Sequence, residues 1–542
     1  MRMNKVLAGL FSLGLILSPL NVYADGSVYA TDASGNNYMS IDDAWNAACN
    51  GADITMHQDW TISNRLVVGE NQSVTIEMNG YKIDRGLGGS RTYGGEVIYL
   101  SQGSSLTLNG DPDSNTVFNI YGFNEDVDVS DETVTSGGLI TGGASSDGAG
   151  GIHMKKGSSL VLNHVAISGN LSQTDTVSDG GGINMNDDNC TVTMNDSIIS
   201  YNAADKGGGI RVCGENANIV MNNSSSIEHN FAEKYGGGIY SGKDATYVTM
   251  NTNSSISYNC ACVNGGGVDF DNPYCQIYSP DNSASISNNK SSNNGAGLYV
   301  AETYRGNTAR VEGVTFESNS GENNGGAILS LGEDFSIKNC TFRKNSAVNG
   351  GAIYMNAEDN TISNCTFEEN SATKEGGAIY NNEDDTILQD CTIINNYAEK
   401  AGGGVYDYYT VNITIQGKMI IKDNTRGGGY ADDLMLDYVW YSFPYVMGEV
   451  SSDSCVGIRT GSNGSSQFGK KITSDGGKEF FLDDSDGYHI KYENNKLYRE
   501  SGSLLGSIFG NANVGIAVIA MGSICMIGVI CLVVHKKKTT NN

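Results

Sequence analysis

Basic residues and prolines are scarce in this sequence. Of 542 residues, 33 are lysine or arginine and 61 are aspartate or glutamate, so the formal net charge is −28. A surface this acidic repels nucleic acid and anionic lipid, and it favours cations or neutral ligands. There are 5 prolines and 71 glycines, which argues against long helices and indicates many tight turns. The composition therefore predicts a turn-rich all-β protein that does not bind nucleic acid.

Long apolar runs are also rare, and two of them stand at the ends of the chain. Residues 1–24 combine Arg2 and Lys5 with an apolar run and end on the small residue Ala24, which is typical of a cleaved secretory signal peptide. Residues 514–534 are uncharged and long enough to span a bilayer as a transmembrane helix. Lysines in the tail 535–542 predict that the tail is cytoplasmic and the body extracellular. We therefore expect a single-pass protein at the cell surface.

Between these runs the chain repeats itself. Two or three small residues precede an aliphatic marker, which recurs every 25 to 31 positions at Ile152, Ile183, Ile210, Ile239, Val268, Leu298, Ile328, Ile353, Ile379 and Val405, and "GGGY" continues the series at Tyr430. A second marker, an Ile or Phe three residues before an Asn, keeps phase with the first at Asn170, Asn202, Asn230, Asn259, Asn289, Asn319, Asn345, Asn370, Asn396 and Asn424. Two markers in phase over ten units indicate a repeat architecture.

The repeat unit is short and has no helical period. Short β-prone runs alternate with Asn, Asp, Glu and Gly turns. Paired glycines in the units argue against a helical repeat, and 25 to 31 residues are too few for a propeller blade. The sequence therefore predicts a right-handed parallel β-helix in which each unit forms one three-sided rung.

The two markers have different expected roles in such a solenoid, where equivalent residues stack about 4.8 Å apart. The marker Ile and Phe side chains should point inward. The asparagines should brace a corner by hydrogen-bonding one another, and the glycines should permit the sharp bend. This structural ladder includes Asn319, Asn345, Asn370, Asn396, Gly350, Gly351, Gly376 and Gly377.

The segments outside the regular repeat are predicted to close the ends of the solenoid. Residues 25–149 hold the first, irregular rungs and a short N-terminal capping helix, with Ser40 and Asp43 in capping-box spacing. Residues 150–430 form the repeat, residues 431–500 the C-terminal rungs and closing hairpins, and residues 501–513 a linker to the membrane.

The paired motifs resemble those of a known family. "FRKN" with "GGAI" from Phe342 to Ile353, and "FEEN" with "GGAI" from Phe367 to Ile379, are similar to the F-x-x-N and G-G-A-I repeats of the chlamydial polymorphic membrane proteins. The likeness covers roughly residues 150–430. That family is known as surface-displayed β-helical adhesins, and the resemblance implies this role here.

The chain departs from that family in two ways. Several early units use Ile in place of Phe, and a single membrane helix replaces the C-terminal autotransporter barrel, so the export route does not carry over. The N-terminal cap, "EMNGYKIDRG" and the lysine-tailed helix also look similar to surface proteins of Gram-positive anaerobes.

Two groups of residues are candidates for binding. Acidic turns recur, with Glu358, Asp359, Glu383, Asp384 and Asp385 in consecutive rungs; they could hold a structural calcium ion or be solvated turn charges. Tyr354, Tyr380 and Tyr406 directly follow the marker aliphatic and should therefore face outward. Such a stripe could stack on a glycan, or the rings could pack on one another and stiffen the sheet.

The cysteines suggest no metal site. Cys340, Cys365 and Cys391 occupy one position in consecutive rungs and predict an inward thiol ladder, whose parallel side chains suit disulfides poorly. Cys260 and Cys262, with Cys213 and Cys275, are better disulfide candidates in an extracellular body.

Catalytic residues are harder to recognise. The six histidines do not recur in phase, and no motif combines paired aspartates with a basic residue as β-helical lyases and hydrolases require. We therefore expect a membrane-anchored adhesin, or a spike that binds a glycan or a protein of a host or neighbouring cell, without a cofactor. The alternative is a surface polysaccharide lyase or glycoside hydrolase.

Overall fold

The computed structural model describes residues 27–501 except 89, 91, 124–128, 173–179, 244, 273, 304–308, 384, 409–412, 437–446, 452–453, 461–466, 471–480, 484–487 and 494–495. Within these residues the chain winds into a parallel β-solenoid. A rung of the regular repeat contributes four short strands, for example Ile353–Met355, Thr361–Ser363, Thr366–Glu368 and Ser371–Ala372. Equivalent strands of successive rungs pair in parallel, which builds four stacks that we number in this order.

The first stack contains the strands that follow the glycine pairs. Its marker residues are in register, so Ile353 pairs with Ile328 on one side and with Ile379 on the other. Its strands are Leu66–Val68, Ile98–Leu100, Ile152–Met154, Ile183–Met185, Ile210–Val212, Ile239–Ser241, Val268–Phe270, Leu298–Thr303, Ile328–Gly332, Ile353–Met355, Ile379–Asn381, Val405–Asp407 and Leu434–Leu436.

The C-terminal part of this stack, where Leu434–Leu436 also pairs with Cys455–Thr460, corrects the expectation for Tyr430. The strand Tyr430–Ala431 turns back and pairs antiparallel with Thr425–Arg426. Leu434 takes the marker position instead, opposite Val405.

The other three stacks complete the wall of the solenoid. The second contains Asn37–Tyr38, Ala30–Asp32, Ile54–Met56, Ser73–Glu77, Ser105–Asn109, Ser159–Asn163, Thr191–Asn195, Ala217–Asn222, Thr246–Met250, Gln276–Tyr278, Arg310–Glu312, Ser336–Lys338, Thr361–Ser363, Ile387–Gln389, Thr414–Gly417 and Met447–Val450. The third contains Trp60–Thr61, Lys82–Asp84, Leu139–Thr141, Ala166–Ser168, Ile198–Ser200, Ser226–Glu228, Ser255–Ser257, Ser285–Ser287, Thr315–Glu317, Thr341–Arg343, Thr366–Glu368, Thr392–Ile394, Ile420–Lys422, Cys455–Thr460 and Phe481–Asp483. The fourth contains Ala144–Ser145, Leu171–Ser172, Ala203–Lys206, Phe231–Tyr235, Cys260–Ala261, Lys290–Ser291, Ser320–Gly321, Ser346–Ala347, Ser371–Ala372, Tyr397–Ala398, Thr425–Arg426 and Tyr430–Ala431.

The core is a continuous column of apolar side chains inside these stacks. The marker residues Ile328, Ile353 and Ile379 are fully buried there. The rings of Phe316, Phe342 and Phe367 stack along the axis, with centroids 5.1 and 4.6 Å apart. The period-2 alternation of a strand places these side chains inside and their sequence neighbours outside.

A ladder of buried asparagines braces the corner after the third stack. The backbone N–H of Asn345 and its side-chain amide both donate to Oδ1 of Asn370, at 3.0 and 2.9 Å. The amide also donates to the carbonyl of Phe316 at 3.0 Å. The same pattern links Asn319 to Asn345 and Asn370 to Asn396. It ends at Asp433, whose Oδ1 accepts from Asn424. Each amide therefore satisfies backbone groups that the bend leaves without a strand partner.

The glycine pairs form the second corner for two different physical reasons. Gly350 and Gly376 have φ of 62° and 68°, in the left-handed region that favours glycine. Gly351 and Gly377 lie against the next rung, where an added Cβ would overlap the carbonyl oxygens of Gly377 and Gly403, respectively. A side chain at either position would push neighbouring rungs apart.

A helix and two antiparallel units flank the solenoid. The helix Ile41–Cys49 begins at Ser40, whose hydroxyl accepts from the backbone N–H of Asp43 at 3.1 Å. Its Ala44, Trp45 and Ala48 are buried against the first strands. The strands Thr116–Phe123 and Val129–Ser136 form an inserted hairpin, and Gln467–Lys470, Tyr488–Glu493 and Lys496–Ser501 form a small sheet near the C-terminus.

Several predicted segments lie outside the described residues. These are the signal peptide 1–24, the linker 501–513 beyond Ser501, the transmembrane helix 514–534 and the tail 535–542. Among the residues that the structure describes, no helix is long and apolar enough to cross a membrane.

Candidate functional site

The side chains that follow the marker aliphatics form one line along the outside of the first stack, which we call the outward column. Strand pairing places these residues in register from one rung to the next. They are Tyr99, His153, Asn184, Arg211, Tyr240, Asp269, Tyr299, Leu329, Tyr354, Tyr380, Tyr406 and Met435. From Tyr99 to Met435 the column extends over eleven rung steps, or about 50 Å at about 4.8 Å per step, and the pairing continues to Val67 before Tyr99 and to Arg459 after Met435.

The later part of the column is a tyrosine cluster, formed by Tyr354, Tyr380, Tyr406, Tyr408 and Met435. The rings of Tyr354 and Tyr380 stack with centroids 4.7 Å apart, and those of Tyr380 and Tyr406 lie 5.1 Å apart. The rings point away from the core, but Tyr380 and Tyr406 are 9% and 6% exposed. Their faces are occupied by one another, so the structure corrects the idea of an open stripe on which a glycan stacks.

The middle of the column and the residues beside it form a charged cluster. Its column members are Arg211, Tyr240, Asp269 and Tyr299, and Lys206, Tyr235 and Asp271 lie beside them. Lys206 and Tyr235 are paired residues of the fourth stack, across the glycine corner from Tyr240. The Lys206 ammonium lies 4.9 Å from the centroid of the Tyr235 ring and 4.5 Å from that of Tyr240. The two rings therefore hold this cation at the side of the column.

A hydrogen-bonded chain connects three members of the charged cluster. Lys206 Nζ donates to the Tyr240 hydroxyl at 3.0 Å, and that hydroxyl donates to Oδ2 of Asp271 at 2.8 Å. Burial and this donation raise the pKa of Tyr240, and burial raises the pKa of Tyr299 to about 12. Both phenols therefore stay protonated at neutral pH.

Asp269 is the most unusual residue of the charged cluster. Its side chain is 1% exposed, and its Oδ2 has no hydrogen-bond partner. Asn264, five residues earlier across the same corner, also has a buried Oδ1 without a hydrogen-bond partner. Burial raises the pKa of Asp269 well above its ordinary value; nearby Asp271 adds to this, and Lys206 opposes it. The environment therefore favours the uncharged acid.

The first part of the column is a histidine cluster. Its column members are Tyr99 and His153, and Arg65 and Glu96 lie beside them. The His153 and Tyr99 rings stack with centroids 5.2 Å apart, and the Arg65 guanidinium lies 4.6 Å from the Tyr99 ring. Arg65 also forms an ion pair with the buried Glu96. Burial lowers the pKa of His153 to about 4, so this imidazole is neutral at physiological pH.

The acidic turns have a conformational explanation. Asp334, Asp359 and Asp385 have φ of 57°, 61° and 59°, a region in which Asp and Asn are enriched. Glu358 and Glu383 precede these turns, and Asp384 lies outside the described residues. Within the described part of the chain, no three His, Cys, Asp or Glu side chains are grouped so that they could hold a metal ion. The structure thus accounts for these aspartates without a calcium ion.

Cys260 is half-buried in the strand Cys260–Ala261, and Cys262, which follows it, is exposed; the disulfide expected for them stays a prediction. Cys340, Cys365 and Cys391 are buried in consecutive rungs, as their spacing predicts. Burial raises the pKa of Cys391 to about 12, so this thiol is protonated and unreactive.

The charged cluster contains functional candidates that the repeat pattern alone does not identify. Arg211 and Asp269 occupy the column position that holds Tyr or Leu in several later rungs. An alignment of the rungs shows this change from an uncharged to a charged residue. Lys206 and Tyr235 carry no such signal, because the spacing across the glycine corner does not show that they face Tyr240. Tyr240 and Tyr299 follow the marker aliphatic and are recognisable from the sequence.

Comparisons with known proteins bear on the fold. The family model for a right handed beta helix region matches residues 275–433. No curated protein and no solved structure matches the chain. The family match and the parallel four-stack solenoid together establish that the chain folds as a right-handed parallel β-helix.

Proposed function

We propose that the protein is a cell-surface binding protein, anchored by residues 514–534, whose β-helix is a rigid rod that presents a glycan-binding site. The observation that carries the proposal is the charged cluster in the middle of the outward column. There, the half-buried Tyr235 ring adjoins Lys206, and Lys206 is linked through the Tyr240 hydroxyl to Asp271. The half-buried Tyr299 ring lies two rungs beyond Tyr240 in the same column. Aromatic surface combined with a few fixed polar groups suits a saccharide, which has both apolar faces and hydroxyl groups.

Two further features support a binding role. A column of about 50 Å suits an extended polymer better than a compact ligand. The repeat motifs resemble those of the chlamydial polymorphic membrane proteins, for which an adhesive role is known. The N-terminal signal-like segment and the apolar segment 514–534 would display the rod outside the cell.

A glycan array with the purified full-length protein tests this proposal. We expect binding to a restricted set of polysaccharides, and a weaker signal for Tyr235→Ala than for the control Tyr278→Ala. Tyr278 is a suitable control because it is exposed on the second stack, away from the outward column. Binding to a cell-surface protein in the absence of any glycan signal would contradict the proposal.

A carbohydrate-cleaving enzyme is the second candidate, and one observation favours it. Asp269 lies in the strand Val268–Phe270 and pairs with Tyr240, whose hydroxyl donates to Asp271, so both aspartates lie on the same face. Two neighbouring carboxyl groups, one of them held as the uncharged acid by burial, are the kind of pair that acid–base hydrolysis uses. The buried position of Asp269 argues against direct contact with a substrate.

Asp269→Asn separates the two candidates. A binding protein in which Asp269 is an uncharged structural group keeps its affinity, because the amide has nearly the same shape. An enzyme that uses Asp269 as its acid loses turnover by a factor of about 100 or more. Release of reducing ends or unsaturated products from the bound polysaccharide is the measurement.

A further inference from the structure

One basic residue of the charged cluster differs from its neighbours. Lys234, one rung further on the same fourth stack, places its Nζ 2.9 Å from Oδ2 of Asp205. Lys155, Lys156 and Arg343 likewise pair with carboxylates. Lys206 instead lies against two tyrosine rings, and no carboxylate oxygen of the described residues is within ion-pair distance of its Nζ. Its charge is therefore not neutralised by a direct contact.

The contacts of Lys206 also fix its position. An ammonium group has three N–H donors, and the Tyr240 hydroxyl accepts one of them. Asp271 in turn accepts from that hydroxyl and so holds the Tyr240 ring in place. The Lys206 side chain is partly exposed, which leaves donors facing solvent. A preorganised cation loses less side-chain entropy when it binds an anion than a flexible surface lysine does.

The nearest acidic groups do not contact this ammonium directly. The uncharged form of Asp269 is favoured by its burial, and the Tyr240 hydroxyl lies between Lys206 and Asp271. The cluster also contains two basic side chains, Lys206 and Arg211, so it is locally less acidic than the chain as a whole, whose net charge is −28. The net charge alone favours cations or neutral ligands, but a contact within a few ångströms depends on the local groups.

We propose that the ligand of the outward column is an acidic polysaccharide, and that Lys206, held between Tyr235 and Tyr240, binds a carboxylate of one of its uronic acid units. This inference rests on the proposed function and specifies the ligand class of the same site. The half-buried Tyr235 ring beside Lys206, with the half-buried Tyr299 ring further along the column, favours a saccharide over an acidic peptide, because it offers apolar surface for a sugar ring next to the cation.

Alginate oligosaccharides are the probe, and the same oligosaccharides with their carboxylates reduced to alcohols are the neutral control. Binding to the full-length protein is measured by calorimetry. We expect the reduced form to bind at least about tenfold more weakly, since a charge-assisted hydrogen bond is lost. Lys206→Gln should lose a similar factor, Lys206→Arg should stay within about threefold, and Lys234→Gln should match the unmodified protein. Melting temperatures of all variants show whether folding is intact.

Three results distinguish the ways in which this inference can fail. If neutral glycans bind and Lys206→Gln has no effect, the acidic ligand is wrong and the glycan-binding function stands. If polyglutamate binds as tightly as alginate, the partner is an acidic peptide and not a saccharide. If no glycan binds at all, acidic or neutral, the proposed function fails as well.

The salt dependence gives an independent check. The acidic body repels a polyuronate over the Debye length, which is about 30 Å at 0.01 M salt and about 8 Å at 0.15 M. Contact with Lys206 acts at shorter range and is screened less. We therefore expect faster association at 0.15 M than at 0.01 M salt. Association that slows steadily as salt is added would indicate nonspecific ion exchange and overturn the assignment.

Discussion

The charged cluster and the tyrosine cluster occupy the same backbone position in different rungs of one solenoid. Asp269 and Tyr380 each follow a buried marker aliphatic and each lie on a strand of the first stack. The tyrosines fill their own surroundings, because each ring packs on the next. Among the described residues, the charged cluster leaves a cation without a carboxylate contact and a buried acid with an unpartnered oxygen. On the proposed function, equivalent scaffold positions therefore serve stability in one region and recognition in the other.

The largest expected effect comes from removing a ring of the tyrosine cluster. Tyr380→Ala leaves a cavity between Tyr354 and Tyr406, and we expect the free energy of unfolding to fall by about 3 kcal/mol. Binding at the charged cluster should not change at temperatures where the variant is folded. Lys206→Gln should behave in the opposite way, with a stability loss of about 1 kcal/mol or less. Denaturant unfolding and calorimetric binding measurements on both variants test this contrast. Weaker binding by folded Tyr380→Ala would contradict it.

The next largest effect is a pH dependence carried by the histidine cluster. The pKa of His153 is about 4 in the folded protein and 6.5 when unperturbed; burial is the main cause, Lys155 and Arg65 also lower it, and Asp187 and Asp147 oppose them. Between these values the unfolded chain binds the proton and the folded chain does not. Stability is therefore lost as the pH falls from 6.5 to about 4, by about 3 kcal/mol in total.

The variant His153→Phe keeps a ring stacked on Tyr99 and removes the titrating group. We expect its stability to fall less than that of the unmodified protein over the same pH range. Unfolding midpoints at pH 7 and pH 4 give the comparison, and equal losses in both proteins would exclude His153 as the cause. The tyrosine cluster has no corresponding histidine among the described residues.

The asparagine ladder should contribute equally in both regions. Asn370→Ala removes the acceptor of two N–H groups of Asn345, and Asn259→Ala does the same to Asn230. Each change leaves buried donors unsatisfied, so we expect each to cost about 1 to 3 kcal/mol. The exposed Asn323→Ala is the matched control, with a change of about 0.5 kcal/mol or less. A ladder variant as stable as this control would show that the amides do not brace the corner.

The sequence predicts the scaffold better than the site for a physical reason. The asparagines, glycines and marker aliphatics obey the same packing constraint in every rung, so their recurrence predicts the parallel solenoid and its inward and outward faces. Lys206 and Tyr240 come together across a bend, and Asp269 departs from the repeat rather than following it. Alternation correctly places Tyr380 outside the core, but it cannot show that neighbouring rings bury it.

A smaller effect is expected at Asp269 itself. Its folded pKa is raised by burial, so the folded protein binds the proton more tightly than the unfolded chain. The resulting stability is present below the unfolded pKa and is lost as the pH rises through the folded pKa. Asp269→Asn removes this loss, and we expect the variant to melt at a higher temperature than the unmodified protein at pH 8 but not at pH 4. A variant that melts lower at both pH values would show that the carboxyl group is paired when the protein is folded.

The smallest effect is expected at the acidic turns beside the tyrosine cluster. Asp359 has a φ of 61°, which Asn adopts as readily as Asp, so the turn explains the residue type without a bound ion. We expect Asp359→Asn to change the free energy of unfolding by about 0.5 kcal/mol or less. The unmodified protein should melt at the same temperature in calcium and in chelator. If calcium raises the melting temperature of the unmodified protein but not that of Asp359→Asn, the stacked turns hold the ion. This region would then bind a ligand as well as stabilise the fold.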